Sequence, residues 1–200
     1  MKKIISVFLI TFALLSCKAQ SVIKPLDGVP CPSNDSNCYD KDVNNEFDKF
    51  VGTWKYTNGT NEIIFKLKKE EHYQTSPNSN YQDLLVGEYQ YKSNGITVVN
   101  TLDSFDNPFI SGFSHNISGG SFKHRLPNHC IDNSDVSEIK IWLFINHPTE
   151  NDTEGRVILR YLSDNGVEKL QACIYDDSAL SNDVDARIDI SDGYYEFIKQ

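Results

Sequence analysis

The stretch "GTWKYTNGTNEIIFKLK", residues 52–68, decides the fold class. Alternating apolar and polar residues flank Asn58-Gly59, and the second run places Ile63, Phe65 and Leu67 on one face. Alternation with a period of two indicates β-strands, and Asn-Gly tolerates the positive φ angles of a type I′ turn. The stretch therefore predicts a β-hairpin with one buried face.

The same pattern continues along the chain. Asn94-Gly95 and Asn165-Gly166 predict two further hairpins. Further strands are predicted in "DLLVGEYQY", "GITVVNTL", "EIKIWLFIN", "GRVILRYLS", "VEKLQACIY" and "GYYEFIKQ", with another pair around Gly119-Gly120. Roughly eight to ten antiparallel strands usually close into a barrel or fold over as a sandwich, which avoids exposed edges. The predicted fold is therefore an all-β, up-and-down antiparallel meander.

The only helical signal is a short turn in "DVNNEFDKF", just before the first strand. There Asp42 can cap the turn, and Phe47 and Phe50 share one face. We therefore expect a short N-terminal helical turn on an otherwise all-β domain.

The first residues indicate an export signal. Lys2 and Lys3 precede an apolar run from Ile4 to Leu15, which is too short to cross the ~30 Å core of a bilayer as a helix. The run ends in "LLSC", which resembles a bacterial lipobox, where the cysteine is acylated and the chain is cut before it. We expect residues 1–16 to be a lipoprotein signal peptide and Cys17 to be the membrane anchor. The alternative is an ordinary secretory signal with a chance cysteine.

The anchor and the charge limit the partners. Removing the two signal lysines leaves 17 basic and 28 acidic residues, a net charge near −11. This charge argues against nucleic acid and anionic headgroups as partners, because both attract basic patches. No acidic residue closely follows Cys17 in "CKAQ", unlike the surface-export signals of Bacteroidetes lipoproteins. We expect a cell-envelope protein that is anchored in the outer membrane and faces the periplasm.

The other four cysteines form an even set in a compartment that permits disulfides. Three pairings are open, and we favour Cys31 with Cys38 and Cys130 with Cys173 because "PSNDSN" can close a local loop. Residues 17–42, rich in Pro, Asp, Asn and Ser, are predicted to be a lipidated tether that holds this small loop. Residues 43–200 are predicted to form one domain.

A metal site is the rival interpretation of one cysteine. "HRLPNHC" brings His124, His129 and Cys130 together, but it lacks the paired spacing of most metal sites. The disulfide is therefore the preferred interpretation, and no metal or cofactor is predicted.

The segment "FDKFVGTWKY" places a helical turn before Gly52, Thr53 and Trp54 at the head of the meander. It resembles the Gly-x-Trp opening of lipocalins and related calycin barrels. The resemblance implies that Gly52 and Trp54 close one end of a barrel beneath a ligand cavity. It also implies an arginine from a late strand over the tryptophan, but "GYYEFIKQ" contains none.

From "LLSCKAQ" through "FVGTWKY" to "DLLVGEYQY", the chain also resembles a family of small Bacteroidetes lipoproteins that carry a domain of unknown function. This resemblance implies a location and a fold, but no activity.

Catalytic motifs are absent from the sequence. It contains no G-x-S-x-G, H-E-x-x-H, SxxK or phosphate-cradling glycine loop. His72, His115 and His147 stand alone and are interpreted as surface or strand residues. The acidic stretch "DDSALSNDVDAR" does not match a calcium loop and is interpreted as solvated. We therefore predict that the protein is not an enzyme.

Four aromatic side chains are candidates for a ligand site: Tyr89, Tyr91, Trp142 and Phe144. Core packing is the favoured interpretation and a binding pocket the alternative, because cavity linings and cores share a composition. Trp142 and Phe144 lie on the face of their strand opposite its aliphatic side chains. One face is therefore expected inside the barrel, with the other covered by the N-terminal segment or by a partner.

Two hypotheses follow. The leading one is a non-catalytic envelope lipoprotein whose barrel binds a small, apolar ligand. The alternative is a protein-interaction lipoprotein, such as an inhibitor or an envelope assembly factor, whose barrel is filled.

Overall fold

The computed structural model describes residues 21–127, 130, 134–149, 153–176 and 188–200. This part of the chain holds eleven β-strands and three short 3-10 turns, at Asp48–Phe50, Leu102–Ser104 and Gly112–Ser114. The strands are β1 (Val22–Pro25), β2 (Cys38–Lys41), β3 (Gly52–Asn58), β4 (Asn61–Gln74), β5 (Tyr81–Ser93), β6 (Ile96–Asn100), β7 (Ile117–Lys123), β8 (Lys140–Asn146), β9 (Glu154–Asp164), β10 (Val167–Asp176) and β11 (Gly193–Lys199). None of the helices in these residues is long and apolar enough to span a membrane.

Eight of the strands close an antiparallel barrel. The wall runs from β3 through β4, β5, β7, β8, β9 and β10 to β11, and β11 pairs with β3 to complete it. This architecture confirms the predicted all-β antiparallel barrel, and the turn at Asp48–Phe50 confirms the short helical turn before it. The total exceeds the expected strand number because β1 and β2 form a parallel pair in the predicted tether.

The Asn-Gly pairs make the turns of two hairpins. Both residues of Asn94-Gly95 and of Asn165-Gly166 have positive φ angles, as a type I′ turn requires. In the first hairpin Asn58 pairs with Asn61, so the turn is Gly59-Thr60 and only Gly59 has a positive φ. The predicted turn at Asn58-Gly59 is therefore wrong by one residue.

One edge of β5 is shared by three strands. It pairs with β2 at its start, with β7 from Leu85 to Gly87 and with β6 near its end. Between the first two partners, Asp83 and Leu84 face no strand on this edge within the described pairings. There β7 turns away through a bulge between Gly119 and Ser121. The barrel wall therefore splits next to β2.

Trp54 lies in the core at the start of β3. Its side chain is fully buried, and its indole N–H donates a 2.7 Å hydrogen bond to the Phe50 carbonyl oxygen. The Lys199 ammonium, from the last strand, lies 5.2 Å from the indole centre. A side chain on Gly52, whose φ is +133°, would meet the Lys199 stem at 3.2 Å. A lysine therefore takes the place over the tryptophan where the lipocalin resemblance implies an arginine.

Two disulfides fasten loops to the wall. Cys31 bonds to Cys38 at the start of β2, and Cys130 bonds to Cys173 on β10, which confirms the favoured pairing. Because Cys130 is bonded, it cannot serve as the thiolate ligand of the alternative metal site. The described residues contain no cluster that could hold a metal ion.

Replacing Trp54 tests the closure of the barrel. We expect Trp54→Ala to lower the free energy of unfolding by about 3–5 kcal/mol, because it empties a fully buried site. Lys199→Ala should cost about 1 kcal/mol or less, and Lys199→Arg should keep the stacked cation. Denaturant unfolding with intact disulfides measures all three. A loss below about 1 kcal/mol for Trp54→Ala would show that the indole does not close the barrel.

Candidate binding cleft

The inside of the barrel is filled by its own side chains. Tyr56, Tyr91, Tyr161 and Tyr195 are only partly buried against the core, but the inward positions in the middle of the strands are at most 1% exposed. They are Trp54, Ile63, Phe65, Leu67, Leu85, Tyr89, Ile117, Ile141, Leu143, Ile145, Val157, Leu159, Leu170, Ala172, Ile174 and Phe197. A cavity that admits water would leave part of these side chains accessible. The middle of the barrel is therefore packed with these side chains.

The four candidate aromatic residues divide between the two faces of the wall. Tyr89 is buried in the core, and Tyr91 packs against that core. Trp142 and Phe144 point outward, since their neighbours Ile141, Leu143 and Ile145 face the core. Tyr91, Trp142 and Phe144 are each only partly buried, and the last two share one surface cleft.

Trp142 and Phe144 line a cleft of about 270 Å3 on the outside of the barrel, where the wall splits. Its floor comes from β5, β7 and β8, including Leu84 and Gly120. Leu26 and Pro30 of the N-terminal segment and Phe113 of the loop between β6 and β7 complete the lining. The volume is just below the ~300 Å3 at which typical ligand pockets begin. The cleft therefore suits a small ligand.

A cation lies over the aromatic rings of the cleft. The Arg156 guanidinium is 4.1 Å from the Phe144 ring centre and 5.7 Å from that of Trp142. The Lys123 ammonium lies 4.5 Å from the Trp142 ring centre. These distances are within the range of cation–π attraction, so the aromatic side chains are held in place. The cleft thus combines flat apolar faces with a fixed positive charge.

Asp83 fixes the N-terminal segment beside the cleft. Its buried carboxylate accepts a hydrogen bond from the Tyr39 hydroxyl. It also accepts from the backbone N–H of Asp42 at 2.9 Å and of His72, in the β4 bulge, at 3.0 Å. Burial, and then the hydrogen bond to Asp83, raise the pKa of the Tyr39 hydroxyl above its usual value. Tyr39 therefore stays a neutral donor to this carboxylate.

Two more buried carboxylates fasten the same segment. Asp40 accepts from the backbone N–H of Cys31 and from the Asn80 amide, both at 2.8 Å. Asp42 accepts from the backbone N–H of Glu46 at 2.8 Å and of Phe47 at 2.9 Å, as expected for the cap of the turn. The structure thus packs residues 22–42 against the barrel, whereas the sequence predicted a spacer there.

His115 lies in a second buried polar cluster, behind the loop between β6 and β7. Its ring nitrogens face Glu88 at 2.8 Å and Glu70 at 3.3 Å. His115 is 1% exposed and precedes β7, so its interpretation as a surface or strand residue is wrong. The cluster does not line the cleft. It joins the loop to β4 and β5.

A second hollow of about 390 Å3 lies beside the Cys130–Cys173 disulfide, lined by Tyr175 and Tyr194. Asp176, at its edge, is the last described residue before the segment 177–187. Most of the acidic stretch "DDSALSNDVDAR" lies in that segment, outside the described residues. Cys17 and His129 also lie outside them.

Comparison with known families gives one match. Residues 1–195 match the family described as "Family of unknown function (DUF6705)". The chain belongs to the DUF6705 family. No curated protein and no solved structure matches it. For this DUF6705 member, arguments about function therefore rest on its own residues.

Sequence patterns alone did not identify Asp83 or His115 in this DUF6705 chain. Both depend on partners more than 25 residues away, such as Tyr39 for Asp83 and Glu88 for His115. One signal was visible in "DLLVGEYQY", where Asp83 and Glu88 are the two charges of a largely apolar stretch. Such a charge needs a buried partner.

Removing the Asp83 carboxylate should release the N-terminal segment. We expect Asp83→Ala to cost about 3 kcal/mol of unfolding free energy, because it leaves buried donors without their acceptor. Limited proteolysis with a protease of broad specificity should cut residues 22–42 faster in this variant. The exposed Asp103→Ala is the matched control, with an expected change within about 0.5 kcal/mol. Unchanged proteolysis in Asp83→Ala would contradict the anchoring role.

Proposed function

We propose that this chain is a non-catalytic binding lipoprotein of the cell envelope, held in the outer membrane by acyl chains on Cys17 and facing the periplasm. The lipobox-like "LLSC" supports the anchor. The two disulfides fit an oxidising compartment outside the cytoplasm. The resemblance to small Bacteroidetes lipoproteins agrees with this location.

The proposed binding site is the outer cleft rather than the barrel interior. One observation supports this choice: the side chains in the middle of the barrel are at most 1% exposed, whereas Trp142 and Phe144 line an open cleft of about 270 Å3. Within the described residues, two of the four candidate aromatic residues, Trp142 and Phe144, line this cleft. The proposed small-ligand site therefore lies on the outside of the barrel wall, whereas the sequence-based hypothesis placed it inside the barrel.

The chemistry of the cleft favours a ligand that carries a flat apolar face. Trp142 and Phe144 offer ring surfaces, and Leu26 and Leu84 add aliphatic contacts. Gln82 and Ser121 at the same cleft can hydrogen-bond polar substituents. A liquid-water volume of ~30 Å3 per molecule gives the cleft room for about nine water-sized groups. The proposed ligand is thus a single aromatic or sugar-like ring with small substituents.

A second candidate function is protein interaction, and one observation favours it. Phe109 is 93% exposed, on the same loop that carries Phe113 at the cleft. Exposed aromatic residues beside a small cleft are typical anchors of protein interfaces. In the protein-interaction hypothesis, a partner protein inserts a side chain into the cleft and covers Phe109.

The anchor is tested by replacing Cys17. We expect Cys17→Ala to abolish acylation and to release the protein from the membrane fraction, because the acyl chains are the proposed attachment. Ser16→Ala keeps a small residue before the cysteine and serves as the control that stays membrane-bound. Intact-protein mass spectrometry and membrane fractionation give the two readouts. A Cys17→Ala protein that still fractionates with membranes would refute the lipid anchor.

The binding site is tested by native mass spectrometry of protein purified from its own envelope. Wild type should retain a small-molecule adduct, and Trp142→Ala combined with Phe144→Ala should lose it because the ring contacts are gone. Ile198→Ala, an outward-facing residue on β11, is the control and should keep the adduct.

An adduct that survives in the double variant would contradict the cleft as the site. A bound protein chain in place of a small molecule, lost on Phe109→Ala, would select the second candidate function.

A further inference from the structure

Three apolar side chains near the start of the described chain are exposed to solvent. Val22 is 53% exposed, Ile23 is 56% exposed and Val29 is 78% exposed. All three fall within eight consecutive residues of a chain whose formal net charge is −9. A cluster of this kind on a charged protein is typical of a contact surface.

These residues are held rigidly to the barrel. β1 pairs with β2, and β2 pairs with the start of β5. The Cys31–Cys38 disulfide and the hydrogen bond from Tyr39 to Asp83 fasten the segment further. Val22, Ile23 and Val29 therefore cannot change their position without the barrel.

The proposed anchor is close to this cluster in the sequence. Four residues separate Cys17 from Val22, and the five residue-to-residue steps between them span at most about 18 Å when fully extended. An acylated Cys17 lies at the lipid surface. The barrel end that carries β1 therefore stays within about 18 Å of that surface.

The strand register shows at which end of the barrel β1 and β2 lie. β2 pairs with Tyr81 and Gln82 at the start of β5, beyond the level where β3 begins. Trp54 lies in the core near this end. At the other end of β5, Ile96 pairs with Ser93 and is 71% exposed. The apolar cluster and Ile96 therefore mark opposite ends of the barrel.

The charges of the segment allow a close approach to lipid. The charged side chains there that retain solvent exposure are Lys24, Lys41, Asp27 and Asp35, which cancel. Asp40 and Asp42 are buried against the barrel. The exposed charges of this segment itself thus carry no acidic excess that would repel anionic headgroups.

We propose that Val22, Ile23 and Val29 form a membrane-contact patch that seats the barrel end carrying β1 on the bilayer. The proposal rests on the proposed Cys17 anchor and adds an orientation to it. The partner is the lipid surface itself, which the apolar side chains enter at headgroup depth. Leu26 and Pro30, from the same segment, line the cleft, so the cleft opens next to the membrane.

The test uses the acylated, full mature protein in lipid nanodiscs that contain a gadolinium-chelate headgroup lipid. NMR relaxation of the backbone amides reports their distance from that surface. We expect the amides of Val22, Ile23 and Val29 to relax several-fold faster than those of Ile96 and Thr97. Ile96 is the matched control because it is an aliphatic residue of similar exposure at the opposite end.

Charged variants separate contact from mere proximity. Ile23→Glu combined with Val29→Glu should lower the relaxation enhancement at β1 several-fold, whereas Ile96→Glu should leave it unchanged. Mass spectrometry of the same samples reports acylation. If acylated protein shows equal amide relaxation at both ends of the barrel, the membrane-contact patch is wrong, but the Cys17 anchor is not contradicted. An unacylated Cys17 would overturn both.

Discussion

The buried carboxylate of Asp83 is the contact on which the arrangement of this protein depends. It lies where β5 loses β7 as a neighbour, and it joins β5 to Tyr39, to Asp42 and to the β4 bulge at His72. A buried carboxylate is costly unless its oxygens accept hydrogen bonds. Asp83 therefore requires the N-terminal segment to dock at the split in the barrel wall. The cleft exists because that segment stands beside the outward faces of β7 and β8.

This arrangement separates the roles of the two faces of the wall. The inward face provides stability, because its aliphatic and aromatic side chains in the middle of the barrel are completely buried around Trp54. The outward face of β8 is also apolar, and Trp142 and Phe144 there are only partly covered. A barrel of this kind cannot exchange an internal ligand without losing core contacts. Recognition is therefore proposed on the outside, in the segment that also leads to the Cys17 anchor.

The sequence predicted the features that depend on local pattern. Asn94-Gly95 and the alternation around Phe65 identified the meander, and the two apolar faces of β8 predicted the covered outer surface. It did not predict Lys199 over Trp54, because that contact requires the closure of β11 on β3 from opposite ends of the domain. It also treated residues 22–42 as a spacer, since their polar composition hides two carboxylates, Asp40 and Asp42, that find donors only in the folded chain.

Amide hydrogen exchange of the wild-type mature protein tests the docking of the N-terminal segment most directly. Tyr39, Asp40 and Lys41 lie in β2 between β1 and β5, so their amides belong to the same hydrogen-bonded sheet as the barrel. The predicted result is slow exchange in residues 38–41, comparable to β3 and clearly slower than the exposed turn at Gly59-Thr60. Exchange in residues 38–41 as fast as in that turn would contradict the docking, and with it the cleft and the short link to the membrane.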